Sequence, residues 1–146
     1  MLKFLGDGML ASFAFDDATR AETCDRALDA AAAAMQSLDR LHAGRVRTGK
    51  PFAQVDLALH LGDLLYGNVG AVDRLDFTVI GPAVNEVARI ETLCEPLGRR
   101  VLISAALAAA ISDKTRLEPL GAHVLRGVRE AKEIFALRQG LHADGS

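Results

Sequence analysis

Apolar residues recur along this chain with two periods, and each change of period marks a new element. Leu2–Leu5 and Met9–Phe15 read as two strands joined by Gly6-Asp7-Gly8, a tight hairpin signal. The period then lengthens: Cys24, Ala27, Leu28, Ala31, Met35 and Leu38 return every three or four residues, as on one face of a helix. Thr19 with Glu22 predicts a capping box at its start, and Gly44 predicts its end. Arg45–Phe52 is a polar connector too short to separate domains. Val55, Leu57, Leu59 and Leu61 alternate across Gln54–Leu61, the pattern of a half-buried strand. Gly62-Asp63 turns the chain, Leu64–Tyr66 begins a further strand, and Gly67, Asn68 and Gly70 form a flexible loop.

The stretch Asp73–Glu91 organises the rest. Leu75, Phe77, Val79 and Ile80 form a strand that Gly81 ends, and Pro82 suits a first helical position, where an N–H is not needed. Ala83, Val84, Val87, Ala88, Ile90 and Cys94 then recur at helical spacing and predict a buried face. Asn85 and Arg89, four apart, share a row on a neighbouring face, and Thr78 leaves the strand just before them. A hydroxyl, an amide and a guanidinium are thus delivered to one region by two rigid elements, although two polar residues alone describe only a solvated row. Beyond this helix, Arg100–Ile103 reads as a strand and Ser104 caps a short helix through Ile111. Arg116–Leu120, His123–Arg126 and Glu133–Leu137 read as closing strands. Residues 1–140 form one domain, without repeats or linkers, and residues 141–146 a polar tail.

Composition narrows the class. The 146 residues allow one core; half are hydrophobic and a quarter charged, as in an ordinary soluble α+β domain. A net charge of −2, with no cluster of Lys and Arg, gives no footprint for nucleic acid. The longest apolar tract, Ala105–Ile111, is too short to span a bilayer. Met1-Leu-Lys runs straight into a strand-like segment with no signal peptide, so a cytoplasmic location is expected. Cys24 and Cys94, both on apolar helix faces, read as buried thiols of a reducing compartment.

Individually the polar candidates are unspecific. Asp7, between two glycines at a hairpin tip, is an exposed carboxylate able to hold a divalent ion, or simply a turn aspartate. Lys3 points out of a strand. His60, on an apolar strand, reads as a satisfied structural histidine, and His42, His123 and His142 show no partner spacing. There is no P-loop, no H-E-x-x-H and no Ser/His/Asp pattern.

In order, these segments resemble the catalytic domain of class III nucleotide cyclases. Lys3-Phe-Leu-Gly-Asp7-Gly-Met-Leu-Ala-Ser-Phe13 is similar to that family's hairpin, and Leu59-His-Leu-Gly-Asp-Leu-Leu-Tyr-Gly-Asn-Val-Gly70 to its next pair of strands. Phe77-Thr78 through Gly81-Pro-Ala-Val-Asn85 to Ala88-Arg89 resembles its most diagnostic segment. Val101-Leu-Ile-Ser104 and Leu125-Arg-Gly-Val…Ile-Phe-Ala-Leu137 fit its closing part.

The resemblance implies a ferredoxin-like α+β fold, a mostly antiparallel sheet with helices packed on it, here without the family's first strand and first helices. It implies an adenylate cyclase converting ATP to cyclic AMP and pyrophosphate in intracellular signalling. Lys3 and Thr78 would read adenine where guanine-selective members typically carry Glu and Cys; the Lys/Thr pair marks a subgroup that includes bicarbonate-responsive enzymes. Asn85 would orient the ribose, Arg89 would stabilise the reacting phosphate, and Arg126 lies near a family Lys that touches the terminal phosphates. Asp7 matches one of two aspartates that hold two Mg²⁺ or Mn²⁺ ions. The other lies upstream of the hairpin in a Phe-x-Asp-like context, before this chain begins, and Asp16-Asp17 cannot replace it. The 146-residue piece is therefore expected to bind metal weakly and to be inactive or poorly folded alone. The family forms antiparallel, head-to-tail homodimers, with sensor domains as upstream partners. The alternatives are a catalytically inactive cyclase-like module for dimerisation or regulation, and a nucleotide-independent interaction domain.

Overall fold

The computed structural model describes residues 2–5, 8–51, 54–69 and 76–138, with strands 2–5, 65–69 and 76–80 described by their backbone alone. Strands β1 (Leu2–Leu5) and β2 (Gly8–Ala11) pair antiparallel, from Leu2 opposite Ala11 to Leu5 opposite Gly8. The expected hairpin is present, while Gly6 and Asp7 lie outside the described residues. β2 stops at Ala11 rather than reaching Phe15, and Phe13 is left half exposed.

Helix α1 spans Arg20–Arg47 and buries Cys24, Leu28, Ala31 and Met35, so the inner face follows the predicted period. Its ends differ from expectation. Thr19 does sit at the N-cap position, yet its side chain caps nothing in the helix. It is engaged backwards: Asp16 N–H donates to Thr19 Oγ1 at 3.1 Å and Thr19 N–H to Asp16 Oδ1 at 3.0 Å. Glu22 pairs forwards with Arg26 at 2.8 Å, so no capping box forms. Nor does Gly44 end the helix. A helical glycine costs only about 1 kcal/mol, and the true end is at Thr48, whose N–H and hydroxyl donate to Gly44 O at 3.2 and 3.1 Å. The polar connector therefore starts after Arg47 rather than at Arg45.

Strand β3 (Leu57–Leu59) is shorter than Gln54–Leu61, and Val55 is exposed. β4 (Leu65–Val69) pairs antiparallel with β5 (Asp76–Ile80). Gly67 and Asn68, expected in a loop, instead lie on the ladder opposite Thr78 and Phe77. Helices α2 (Pro82–Glu91) and α3 (Cys94–Leu97) follow, so Cys94 belongs to a separate helical turn. Then come β6 (Val101–Ser104) and α4 (Ala105–Ala110), with the predicted cap: Leu107 N–H donates to Ser104 Oγ at 3.2 Å. β7 (Leu117–Val124) merges what reads as two strands, bent between Pro119 and Ala122, where Gly121 takes φ 83°. β8 (Ala131–Leu137) closes the fold, and the tail lies outside the described residues.

The central sheet has the order β3-β6-β8-β7, parallel between β3 and β6 and antiparallel elsewhere. Its period of two sorts residues between two helical layers. Leu59, Ile103, Phe135 and Leu117 pack with Cys24 and Leu28 of α1 and Leu107 of α4. Ala58, Leu102, Ile134 and Ala136 pack on the other face with Ile90 of α2 and Cys94 of α3. An α+β core with a mostly antiparallel sheet and helices packed on it is the architecture expected from the sequence.

Candidate active site

α2 is the element that presents the diagnostic row. Ala83 and Ile90, seven apart, are buried against the sheet; Val84 and Val87 are partly buried. Ala88, expected inward, is exposed, because the apolar stripe is narrower than the sequence suggests. Asn85 and Arg89 are both exposed on the outward side. Pro82 stands at the start of the helix, and Gly81, at φ 140°, makes a break that a side chain would rarely adopt.

The chain's end meets this helix. Leu125 is 1 % exposed and packs in the same layer as Ile90. It anchors a tight turn in which Val128 N–H donates to Leu125 O at 3.0 Å and Gly127 takes φ 79°. A Cβ built on Gly127 would lie 3.8 Å from Arg89 Nη2 and 3.9 Å from its Cζ. The Arg89 guanidinium thus lies against the turn that carries exposed Arg126. Other arginines are neutralised: Arg26 by Glu22, Arg99 by Glu118, Arg100 by Asp39 and Arg116 by Asp29, at 2.7–2.9 Å. Among the described residues no carboxylate pairs with Arg89 or Arg126. The spot is positively charged and open, which suits a phosphate group.

Lys3 lies on β1 opposite Leu10, and Thr78 on β5 opposite Gly67, ahead of Asn85, the first member of α2's row. Asp7 falls outside the described residues. Among those described, no cluster of three or more His, Cys, Asp or Glu side chains could hold a metal ion, so they form no metal centre by themselves. Among the described residues, too, no helix is long and apolar enough to cross a membrane.

Two features escape sequence reading. Gly62 passes so close to α2 that an added Cβ would lie 2.7 Å from Ala83 Cβ and 3.0 Å from His60 Nε2. His60 itself is only half satisfied: Nε2 is 2.8 Å from Glu86 Oε2, whereas Nδ1 is buried without a partner among the described residues. Burial holds its pKa below the ordinary imidazole value; Glu86 opposes that shift and Lys132 adds to it. Both cysteines are buried as expected. Burial raises the Cys24 thiol and pushes Cys94 up to about 12, and Cys94 Sγ–H donates to Leu57 O at 3.5 Å.

No family profile matches the chain. Individual relatives do. It is 30 % identical over 137 residues to adenylate cyclase 1 of Rhizobium meliloti (strain 1021), covering 92 % of this chain and 20 % of that protein. It is 37 % identical over 114 residues to the adenylate cyclase of Anabaena cylindrica, covering 75 % of this chain and 22 % of that one. The chain thus spans about a fifth of the length of these two relatives. Among solved structures, a bacterial light-regulated adenylyl cyclase superposes with a TM-score of 0.71 at 25 % identity, over 93 % of this chain and 38 % of that one. With the fold, the order of the segments and these likenesses in agreement, the chain belongs to the class III nucleotide cyclases.

Proposed function

We propose that this chain provides catalytic residues of an adenylate cyclase that converts ATP to 3′,5′-cyclic AMP and pyrophosphate. The observation that carries the reading is the Arg89 guanidinium, exposed, without a carboxylate partner among the described residues and lying against the turn that bears Arg126.

In the reaction the ribose 3′-oxygen bonds to the α-phosphorus as the bond to the pyrophosphate oxygen breaks, and the 3′-hydroxyl gives up its proton. Negative charge builds on the phosphate oxygens. Arg89, fixed by a helix rather than a loop, is suited to meet that charge with a planar fork that stays protonated. A preorganised donor of this kind is worth roughly a hundredfold or more in rate. Asn85, one helical turn earlier, offers both a donor and an acceptor to the ribose. Arg126 would hold the terminal phosphates. Lys3 and Thr78 are assigned the adenine edge, because a base that leaves buried polar groups unpaired is rejected.

Asp7 is assigned one ligand of a divalent ion, Mg²⁺ or Mn²⁺, a class of ion that these cyclases generally use. When bound, such an ion lowers the hydroxyl's pKa and neutralises charge. In a head-to-tail homodimer, Lys3, Thr78, Asn85 and Arg89 of one subunit would face metal-holding aspartates of the other.

The test is the full-length gene product incubated with ATP or GTP and Mg²⁺ or Mn²⁺, with products identified by mass spectrometry. Cyclic AMP is expected, and Arg89→Ala should lower kcat about a hundredfold while KM for ATP moves little. No cyclic nucleotide under any condition would refute the reading and favour an inactive module for dimerisation or regulation.

A further inference from the structure

The contact between His60 and Glu86 belongs to none of the roles assigned above. We propose that it is a positioning clamp that fixes the rotation of α2 and so holds Asn85 and Arg89 in their working geometry; its catalytic consequence rests on the cyclase reading. The clamp joins the end of a sheet strand to the helix that packs on it. His60 follows β3 directly, and its side chain is 9 % exposed; Glu86, on α2, is 30 % exposed. With a carboxylate 2.8 Å from Nε2, the proton belongs on Nε2, which donates to Glu86, and the Nδ1 lone pair is left buried and bare.

Of the groups that face the imidazole, the Glu86 carboxylate from α2 favours a charged ring, but burial outweighs it and the Lys132 ammonium from β8 adds to burial, which leaves a neutral donor. Gly62 closes the near side, its missing side chain letting Ala83 and His60 come together. The apolar contacts of Ala83 and Ile90 hold α2 on the sheet, but such contacts are not directional. A hydrogen bond from the sheet to a residue adjacent to Asn85 and one turn from Arg89 is directional, and it selects one rotation. Rotation matters because a displacement of about 1 Å at a reacting group can cost on the order of a hundredfold in rate.

The experiment compares wild type with His60→Leu, His60→Gln and Glu86→Ala, reading amide hydrogen exchange alongside steady-state kinetics. Glu86→Ala removes the bond from the more exposed partner and keeps the test open should His60→Leu fold poorly. Both removals are expected to speed exchange of the α2 amides about tenfold or more, relative to those of β6 and β8. Both should lower kcat ten- to a hundredfold, with KM for ATP within threefold. His60→Gln, whose amide N–H can still reach Glu86, is expected to restore α2 protection and at least a third of kcat. Unchanged α2 exchange in His60→Leu and Glu86→Ala would overturn the clamp. So would equal loss of protection across all elements without rescue by His60→Gln, which marks a merely structural role. Should wild type make no cyclic nucleotide, the catalytic half of the proposal falls with the cyclase reading. The exchange arm still decides the clamp.

Discussion

Gly62 is where the structure makes its sharpest quantitative demand. An alanine there would set its Cβ 2.7 Å from Ala83 Cβ and 3.0 Å from His60 Nε2, whereas carbon atoms rest about 3.5–4.0 Å apart. Ala83 would have to retreat by about 1 Å, yet it is 8 % exposed and sits in the first turn of α2, next to Pro82. Ala83 Cβ is bonded directly to the helix backbone and cannot swing aside, so the backbone must shift there, while the His60 ring tip could turn away only by leaving Glu86. Forcing an extra carbon into such packing costs about 1–3 kcal/mol. An opposing effect is present: Gly62 is not in the positive-φ region, so alanine would stabilise by about 0.4–1 kcal/mol through the unfolded chain. At mid-range, about 2 against about 0.7 kcal/mol, packing wins, and the net loss spans roughly 0–2.6 kcal/mol. For a domain of this size the upper end is about 8 °C in Tm. Urea unfolding of wild type, Gly62→Ala, Ala83→Gly and the double variant measures the coupling directly. A favourable interaction of about 1–3 kcal/mol between the two changes is expected, even though a helical glycine itself costs about 1 kcal/mol. If Gly62→Ala proves as stable as wild type or more so, the chain does not approach α2 closely at this point and the reasoning fails.

Lys3→Glu combined with Thr78→Cys should shift kcat/KM towards GTP over ATP, and an unchanged ratio would remove these residues from base recognition. Cys24 and Cys94, at 3 % and 1 % exposed and with thiols raised by burial, should resist alkylation at pH 8 in the folded chain and react fully in denaturant. Rapid native labelling would contradict their burial. Asp25 ties α1 to Ser112, accepting from its hydroxyl at 2.6 Å and its N–H at 3.0 Å, and these bonds hold the carboxyl below its ordinary range. Its folded pKa is depressed, so its contribution is complete above the unfolded carboxylate value and is lost as pH falls through the folded one. Asp25→Asn should therefore flatten the acid limb of a plot of urea midpoint against pH, and an unchanged limb would refute the tie.

What could be read from the sequence was what depends on near neighbours. The inner face of α1 follows from spacing alone, the β1–β2 hairpin from two glycines around an aspartate, and the α4 cap from Ser104 before an alanine run. The misreadings arise where a distant or competing partner decides. Thr19 had two possible partners, and Asp16 holds it rather than the helix it precedes. Gly67 and Asn68 read as a loop until β5 arrives to pair with them. β7 reads as two strands because Gly121 interrupts the pattern, yet β8 pairs on both sides of the bend. His60 and Glu86 are separated by a hairpin and belong to different periodic patterns, so no local signal could join them. Arg89 and Gly127 meet only because Leu125 and Ile90 share one apolar layer.

α2 shows why a row of two polar residues becomes more than a solvated surface. Ten residues divide among three directions: Ala83 and Ile90 into the sheet, Glu86 towards His60, and Asn85 with Arg89 outward. A helix held on two faces can neither slide nor turn without breaking a contact, so its third face inherits their rigidity. Arg89 also has its position limited at the far end by the Gly127 turn, where an added Cβ at 3.8 Å would make only ordinary contact. Glycine is required there by φ 79°, not by space. Replacing Gly127 would therefore disturb the path of the turn, and with it Arg126, before crowding Arg89. Arg89 thus meets the backbone of the turn that carries Arg126 while both side chains stay exposed, so their relative placement is set by that turn rather than by an ion pair with any described carboxylate.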